Sequence, residues 1–163
     1  MEIRTEIEIS AKPAEVWAEL VEFSRYPEWN PFIVSLRGEA KVGGSIEVTM
    51  SLPDSNKEHT FRPRLIKCDE AAELRWLGHL WMKGLFDGEH FFRLEASGPD
   101  STRFVHGEDF SGVLLRFLLP RMNDVARGFV YMNLALKKRV EAKKSAAASA
   151  DQTGAARGAR ARP

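Results

Sequence analysis

Residues 11–17 read AKPAEVW, and residues 23–32 read FSRYPEWNPF. The two prolines of the second run cannot lie inside a regular strand, and each biases the residue before it towards an extended conformation. Ser10 fits a helix N-cap and Pro13 fits the first helical turn. The apolar face of this helix comprises Val16, Trp17, Leu20 and Phe23. The sequence therefore predicts an aromatic helix that turns a fixed corner and leads back into a strand.

Beyond this corner, the hydrophobic pattern has the period of strands as far as residue 111 and the period of a helix after it. Ile3, Ile7 and Ile9 share one face of a first strand. Six more strands are expected near residues 32–38, 44–52, 59–68, 72–79, 85–96 and 102–111. A helical pattern then continues to Val140, with a break at Pro120 and a continuous portion from about Arg121. The predicted order is one strand, two helices, six strands and a long helix.

Length and composition indicate one domain. A chain of 163 residues with 44% hydrophobic content suits a single core. We assign residues 1–144 to this domain. Residues 145–163 are rich in Ala, Gly and Arg and contain too few large apolar side chains to offset the entropy cost of ordering. They are expected to form a disordered tail.

Composition also excludes several classes of function. The formal net charge of +1 gives no basic face for nucleic acid. Cys68 is the single cysteine, so it cannot form an intramolecular disulfide. Nothing approaches the run of about 18 apolar residues that a membrane span needs. The N-terminus alternates polar and apolar residues, unlike a signal peptide, and we expect a cytoplasmic protein without a cofactor.

Several separated motifs resemble one superfamily. They are Pro-x-x-Val-Trp, Tyr-Pro-x-Trp-Asn-Pro, Gly43-Gly44, Leu74-Arg75-Trp76, Gly88-x-His90, Phe110-Ser111-Gly112 and Met132-Asn133-x-x-Leu136. Over about residues 1–140 the chain resembles the SRPBCC, or START-like, helix-grip superfamily, and within it the polyketide cyclase/dehydrase branch. The resemblance implies an α+β, birch-pollen-allergen-like fold, in which a curved antiparallel sheet of about seven strands wraps around the C-terminal helix. It also implies a ligand cavity between sheet and helix.

The hairpin formed by the last two strands indicates which side chains point inward. Even-numbered positions carry Phe92, Leu94, Phe104 and Phe110, whereas the odd positions include Arg93, Glu95, Arg103 and Asp109, which belong in water. The same parity turns His90, His106 and Glu108 inward. If the turn pairs Ala96 with Thr102, then His90 faces Glu108 and Phe92 faces His106. A buried carboxylate needs a partner, and His90 is the nearest candidate.

These two histidines and the glutamate have two interpretations. They could orient the polar end of a ligand or transfer protons to it, since histidine titrates near neutral pH. They could instead form a polar patch with a purely structural role. Paired titratable groups also occur in structural networks, so the sequence alone favours the second interpretation. A zinc site with these three ligands is less well supported, because nothing supplies its outer hydrogen bonds, and no metal is expected.

Other inward or loop positions complete the predicted cavity. Residues 78–86 form an unusually apolar connection with glycines near both ends, which fits either a mobile lid or a fixed hydrophobic plug. On the long helix Asn133 lies beside an apolar stripe, where its amide must bond either a ligand or the sheet. The predicted lining comprises Trp76, Trp81, Phe86, His90, Phe92, Phe104, His106, Glu108, Phe110, Phe129, Met132, Asn133 and Leu136.

Three functions fit this pattern. The leading hypothesis is a carrier, sensor or chaperone-like protein that binds a small hydrophobic or aromatic molecule. The alternative is an enzyme similar to polyketide aromatases and cyclases, in which His90, His106 and Glu108 transfer protons. A protein-interaction module is the third, with the basic tail as a contact segment. The sequence leaves open whether the protein forms a homodimer.

Overall fold

The computed structural model describes residues 1–53, 57–79, 87–113 and 122–160, with side chains described as far as residue 150. Within these ranges the chain forms eight strands, two α-helices and one 3₁₀ helix. In chain order they are β1 (Glu2–Ile9), α1 (Pro13–Val21), the 3₁₀ helix (Phe23–Glu28), β2 (Ile33–Arg37), β3 (Glu47–Ser51), β4 (Glu58–Phe61), β5 (Arg64–Asp69), β6 (Glu73–His79), β7 (Asp87–Gly98), β8 (Ser101–Ser111) and α2 (Met122–Arg160).

The strands form two antiparallel sheets that meet at an edge. One sheet has the order β1-β8-β7-β6-β5 and the other the order β2-β3-β4. Gly43 N–H donates to the Leu65 carbonyl over 2.7 Å, and Leu65 N–H donates to the Gly44 carbonyl over 2.9 Å. These backbone bonds join the segment before β3 to strand β5. The two sheets thereby make one curved surface, and α2 packs against its concave side.

The single strand predicted for residues 59–68 is wrong, because the segment is divided between the sheets. It breaks at Arg62 and Pro63, so that β4 pairs with β3 and β5 pairs with β6. Proline has no backbone N–H to donate to a ladder, which favours a break at this position. This division gives eight strands in the described ranges instead of about seven.

Helix α1 begins two residues later than the predicted cap implies. Lys12, not Ser10, is the N-cap residue, and its N–H donates to Glu15 Oε2 over 2.7 Å. The Ser10 N–H instead donates to Glu141 Oε1 of α2 over 2.8 Å. Ser10 therefore ties the end of β1 to α2, and Pro13 occupies the first helical position, where its missing N–H costs nothing.

The corner after α1 is fixed by two side chains. The Tyr26 hydroxyl donates to the Leu20 carbonyl over 2.9 Å. Asn30 Oδ1 accepts from the backbone N–H groups of Phe32 and Ile33, at 3.0 and 2.8 Å. These bonds redirect the chain into β2, as the aromatic and proline pattern predicts.

The corner also sets how closely β2 approaches α2. A Cβ atom on Gly128 would lie 2.3 Å from the Phe32 ring, so only glycine leaves room for this contact. The rings of Phe32 and Phe129 then meet edge to face, with centroids 5.5 Å apart. The aromatic residue that ends the corner motif is thus packed on the long helix.

Helix α2 buries the stripe that its sequence predicts. Phe129, Met132 and Leu136 are fully buried, and Val125 is half-buried. At its outer side Arg139 Nε lies 2.5 Å from Glu19 Oε2 of α1, and Lys143 contacts the same carboxylate. Apolar burial and a shared carboxylate therefore hold the helix across the sheet.

Helix α2 continues through Arg160, into the segment for which the sequence predicts disorder. Its side chains are nevertheless exposed from residue 145 to residue 150. Alanine has the highest helix propensity, and adding residues to an existing helix avoids the cost of nucleation. The domain boundary at residue 144 and the disorder of the tail both stay predictions.

Candidate functional site

A cavity of about 300 Å³ lies between the two sheets and the first turn of α2. Most of its wall is apolar. The lining side chains and glycines are Phe32, Val48, Met50, Leu52, His59, Phe61, Pro63, Trp76, Gly78, His79, Gly88, Glu108, Phe110, Met122 and Val125. A space of this size lined by aromatic and aliphatic groups with few polar atoms is typical of a small-molecule site.

Three of the predicted lining residues lie on this wall: Trp76, Glu108 and Phe110. The other predicted residues of the described part are at most 2% exposed and belong to a packed core: His90, Phe92, Phe104, His106, Phe129, Met132, Asn133 and Leu136. The Phe92 and Phe104 rings stack at 5.7 Å, and His106 stacks on Phe129 at 3.8 Å. None of these eight residues lies on the wall of this cavity, so their assignment to a ligand lining stays a prediction.

Much of the wall was missed because it comes from the second sheet and the start of α2. Val48 and Met50 of β3 face the cavity, followed by Leu52, and Phe61 of β4 lies on the same wall. The alternation of apolar residues in 44–52 marks a half-buried strand. That signal was present in the sequence, but it does not say that the buried face borders empty space.

Trp81, Phe86 and most of the predicted lid or plug lie outside the described residues, as does Pro120. The flanking strands β6 and β7 contribute Gly78 and Gly88 to the cavity wall. Both interpretations of residues 78–86 therefore stay predictions.

The hairpin of β7 and β8 has the register expected from its turn, with His90 opposite Glu108 and Phe92 opposite His106. A chain of hydrogen bonds runs from this hairpin into the core. Glu108 Oε2 lies 3.4 Å from His90 Nδ1, and His90 Nε2 lies 2.9 Å from His106 Nε2. His106 Nδ1 lies 2.9 Å from Asn133 Oδ1. Glu108 is thereby connected to α2 through two buried imidazoles.

The chain ends on β1. Asn133 Nδ2 donates to Thr5 Oγ1 over 2.9 Å, and the Thr5 hydroxyl donates to the His106 carbonyl over 3.3 Å. Of the two alternatives left open for Asn133, the structure has the bond to the sheet. We name this series of side chains the relay: Glu108, His90, His106, Asn133 and Thr5.

Burial determines the protonation of the relay. It lowers the pKa of His90 to about 3. Burial, together with the neighbouring His90, holds the pKa of His106 well below its usual range. Burial also raises the pKa of Glu108 to about 8, and Asp109 adds to this shift. All three groups are therefore uncharged at neutral pH.

Glu108 is the relay residue on the cavity wall. Its side chain is 13% exposed, and its Oε1 lies over the backbone of Gly88. A Cβ atom on Gly88 would be 2.4 Å from that oxygen. Glycine at this position lets the carboxyl group lie flat against the wall, where a ligand could meet it.

The described side chains do not suit a metal ion. Across residues 1–53, 57–79, 87–113 and 122–150, no group of three or more His, Cys, Asp and Glu side chains is arranged to bind one. Both ring nitrogens of His90 already face other relay residues. In the part of the chain that the structure describes, no helix has the length and apolar character required to cross a bilayer.

The sequence matches one protein family over residues 1–152, described as polyketide cyclase/dehydrase and lipid transport. The chain belongs to this family. No curated protein sequence matches it significantly. The match covers the whole helix-grip portion, from β1 into α2.

Solved structures show the same fold at low identity. The ZhuI aromatase/cyclase from Streptomyces sp. R1128 is 16% identical, with a TM-score of 0.68 over 86% of this chain and 93% of its own. Norcoclaurine synthase of Thalictrum flavum is 16% identical, with a TM-score of 0.66 over 88% and 96%. A START superfamily protein from Mycobacterium smegmatis is 18% identical, with a TM-score of 0.64 over 86% and 97%. The helix-grip prediction is confirmed.

Proposed function

We propose that this protein binds a small, uncharged and largely apolar molecule in the cavity between its two sheets and α2. The observation that carries the proposal is the cavity itself, about 300 Å³ bounded mainly by aromatic and aliphatic side chains. Burying an apolar ligand there removes its surface from water, which supplies the main driving force. The site would serve a carrier, a sensor or a chaperone-like protein equally well.

Electrostatics support an uncharged ligand. The relay beneath the wall is neutral, and the raised pKa of Glu108 removes the negative charge that would otherwise attract a cation. Among the described residues, the other titratable side chains on the wall are His59 and His79, and His79 Nδ1 lies 2.6 Å from Asp87 Oδ1. A ligand charge buried against the described apolar wall, between Trp76 and Phe110, would lose its hydration.

A cavity-filling substitution tests the proposal. Val125 lies on the wall, and Val125→Phe adds a ring to this space. We expect the variant to bind N-phenyl-1-naphthylamine, an uncharged fluorescent probe, at least tenfold more weakly than the wild type. Fluorescence titration measures the affinity, and circular dichroism confirms that the variant is folded.

Val130→Phe is the matched control, because Val130 lies on the same helix and is 42% exposed. We expect it to leave the affinity unchanged. Equal affinity of Val125→Phe and the wild type would contradict the proposal. A loss in Val130→Phe alone would place the probe on the exposed side of α2, near Tyr131 and Leu134.

Proton-transfer catalysis is the second candidate, and the relay is the observation that favours it. A carboxylic acid that keeps its proton at neutral pH at the edge of an apolar cavity could deliver it to a ligand atom. An enzyme of this kind should protonate the carbonyl oxygen of bound 2-tetralone while water removes the proton on the adjacent carbon, a hydrogen–deuterium exchange that NMR can follow. Exchange no faster than in buffer, with 2-tetralone shown to bind, would argue for binding alone.

A further inference from the structure

The direction of every hydrogen bond in the relay follows from Asn133. Its Nδ2 donates to Thr5 Oγ1, whose own proton goes to the His106 carbonyl. Asn133 Oδ1 therefore faces His106 Nδ1, and because an amide oxygen only accepts, Nδ1 carries the proton. Neutral His106 then accepts at Nε2.

The hydrogen bonds of His90 have the same donor-to-acceptor direction. Its Nε2 must donate to His106 Nε2 across the 2.9 Å contact, which leaves His90 Nδ1 as an acceptor. Glu108 Oε2 faces that acceptor at 3.4 Å, so the oxygen must carry a proton to bond it. With Asn133 Nδ2 bonded to Thr5, the opposite direction would require a doubly protonated His106 with no exposed surface, which costs far more than the neutral arrangement.

We propose that the relay holds Glu108 as a carboxylic acid whose Oε2–H donates to His90 and whose Oε1 accepts a hydrogen bond from a hydroxyl or N–H group of the ligand. This inference rests on the proposed function, since it names the chemistry of the ligand in the same cavity. Oε1 lies over Gly88 on the cavity wall. It selects a ligand with an uncharged donor at one end of an apolar body.

The arrangement disfavours carboxylate ligands such as fatty-acid anions. Their oxygens only accept hydrogen bonds and would face the lone pairs of Oε1. A hydroxyl or N–H group instead satisfies Oε1, which burial of the ligand would otherwise leave without water. Glu108 therefore discriminates between ligands by whether their polar group donates or accepts a hydrogen bond, and not by attraction to a charge.

The experiment compares 2-naphthol with 2-methylnaphthalene, which has nearly the same shape and no donor. The measured quantity is the ratio of their affinities at pH 6.5, in the wild type and three variants. Glu108→Gln keeps an acceptor for the ligand and a donor for His90, so it reproduces the protonated acid. Glu108→Leu removes both, and Asp109→Asn is the control because Asp109 is exposed on the other face of β8.

We expect the affinity for 2-naphthol relative to 2-methylnaphthalene to fall about tenfold in Glu108→Leu, which corresponds to the loss of one hydrogen bond. In Glu108→Gln and Asp109→Asn this ratio should stay within about twofold of the wild-type value. Binding of 2-methylnaphthalene shows that each variant retains a folded cavity. A ratio that falls equally in Glu108→Gln and Glu108→Leu would overturn the inference, because it would mean that Glu108 acts as a carboxylate. An unchanged ratio in all variants would overturn it while leaving the cavity proposal intact. Failure of both compounds to bind wild type would overturn the proposed function as well.

Discussion

Glu108 shows how position alone can change the character of a side chain. Glu19 of α1 is also a glutamate, and its carboxylate forms ion pairs with Arg139 and Lys143. Glu108 instead faces a neutral imidazole, and burial raises its pKa to about 8. One carboxyl group therefore stabilises the packing of two helices through charge, whereas the other is suited to hydrogen bonding without charge.

This difference predicts how stability depends on pH. The pKa of Glu108 rises from 4.5 to about 8 on folding, so its neutral form stabilises the folded state at low pH and this contribution is lost between those values. The pKa of His90 falls from 6.5 to about 3, so its contribution is lost only as pH drops below about 6.5. The His106 shift has the same direction. Above pH 6.5 the loss from Glu108 dominates among the relay residues.

We expect the unfolding equilibrium constant of the wild type to rise by up to about tenfold per pH unit between 6.5 and 8, and that of Glu108→Gln to stay nearly constant. Urea titrations at several pH values measure both. Because the two proteins differ only at residue 108, the contributions of all other side chains cancel in the comparison. Parallel curves for the two proteins would show that Glu108 is already ionised in the folded state.

Among the secondary-structure elements, the corner after α1 and the β7–β8 hairpin were predicted from short sequence patterns. The corner motif and the hairpin depend on neighbours close in sequence, so proline chemistry and period-two alternation were sufficient to place them. The register of β7 and β8 followed from the turn alone. Phe91 was missed, although it is 1% exposed on the outer face, because the guanidinium groups of Arg75 and Arg93 cover its ring. Alternation does not anticipate an aromatic ring shielded by long charged side chains.

The last described side chains of α2 are exposed. From residue 145 to residue 150 the side chains are exposed, whereas Val140 is buried and Lys143 contacts Glu19. We expect removal of residues 146–163 to lower the thermal midpoint by no more than about 2 °C, because an exposed helical extension contributes little to stability.

Thermal unfolding followed by circular dichroism checks this expectation, and a chain that ends at Lys137 is the control. That shorter chain loses Arg139, Val140 and Lys143, so it should melt many degrees lower. A comparable loss in the first truncation would show that the tail makes stabilising contacts.

At the scale of the whole molecule, the position of the cavity depends on long-range packing. Parity identified the inward-facing residues but could not tell which of them contact one another and which border empty space. At one end the rings of Phe92, Phe104 and Phe129 close the interior. At the other end the second sheet stands away from α2, and the cavity remains between them. No local pattern encodes that separation, because it depends on how two sheets and a helix meet.

The proposed ligand is an uncharged molecule that carries a hydrogen-bond donor and lies in this cavity with its polar end at Glu108. A crystal structure of the protein with 2-naphthol tests this placement. We expect the naphthalene rings between Trp76, Phe110 and Val125, with the hydroxyl within about 3 Å of Glu108 Oε1. Rings bound on the exposed side of α2, or a hydroxyl directed away from Glu108 within the cavity, would contradict the account.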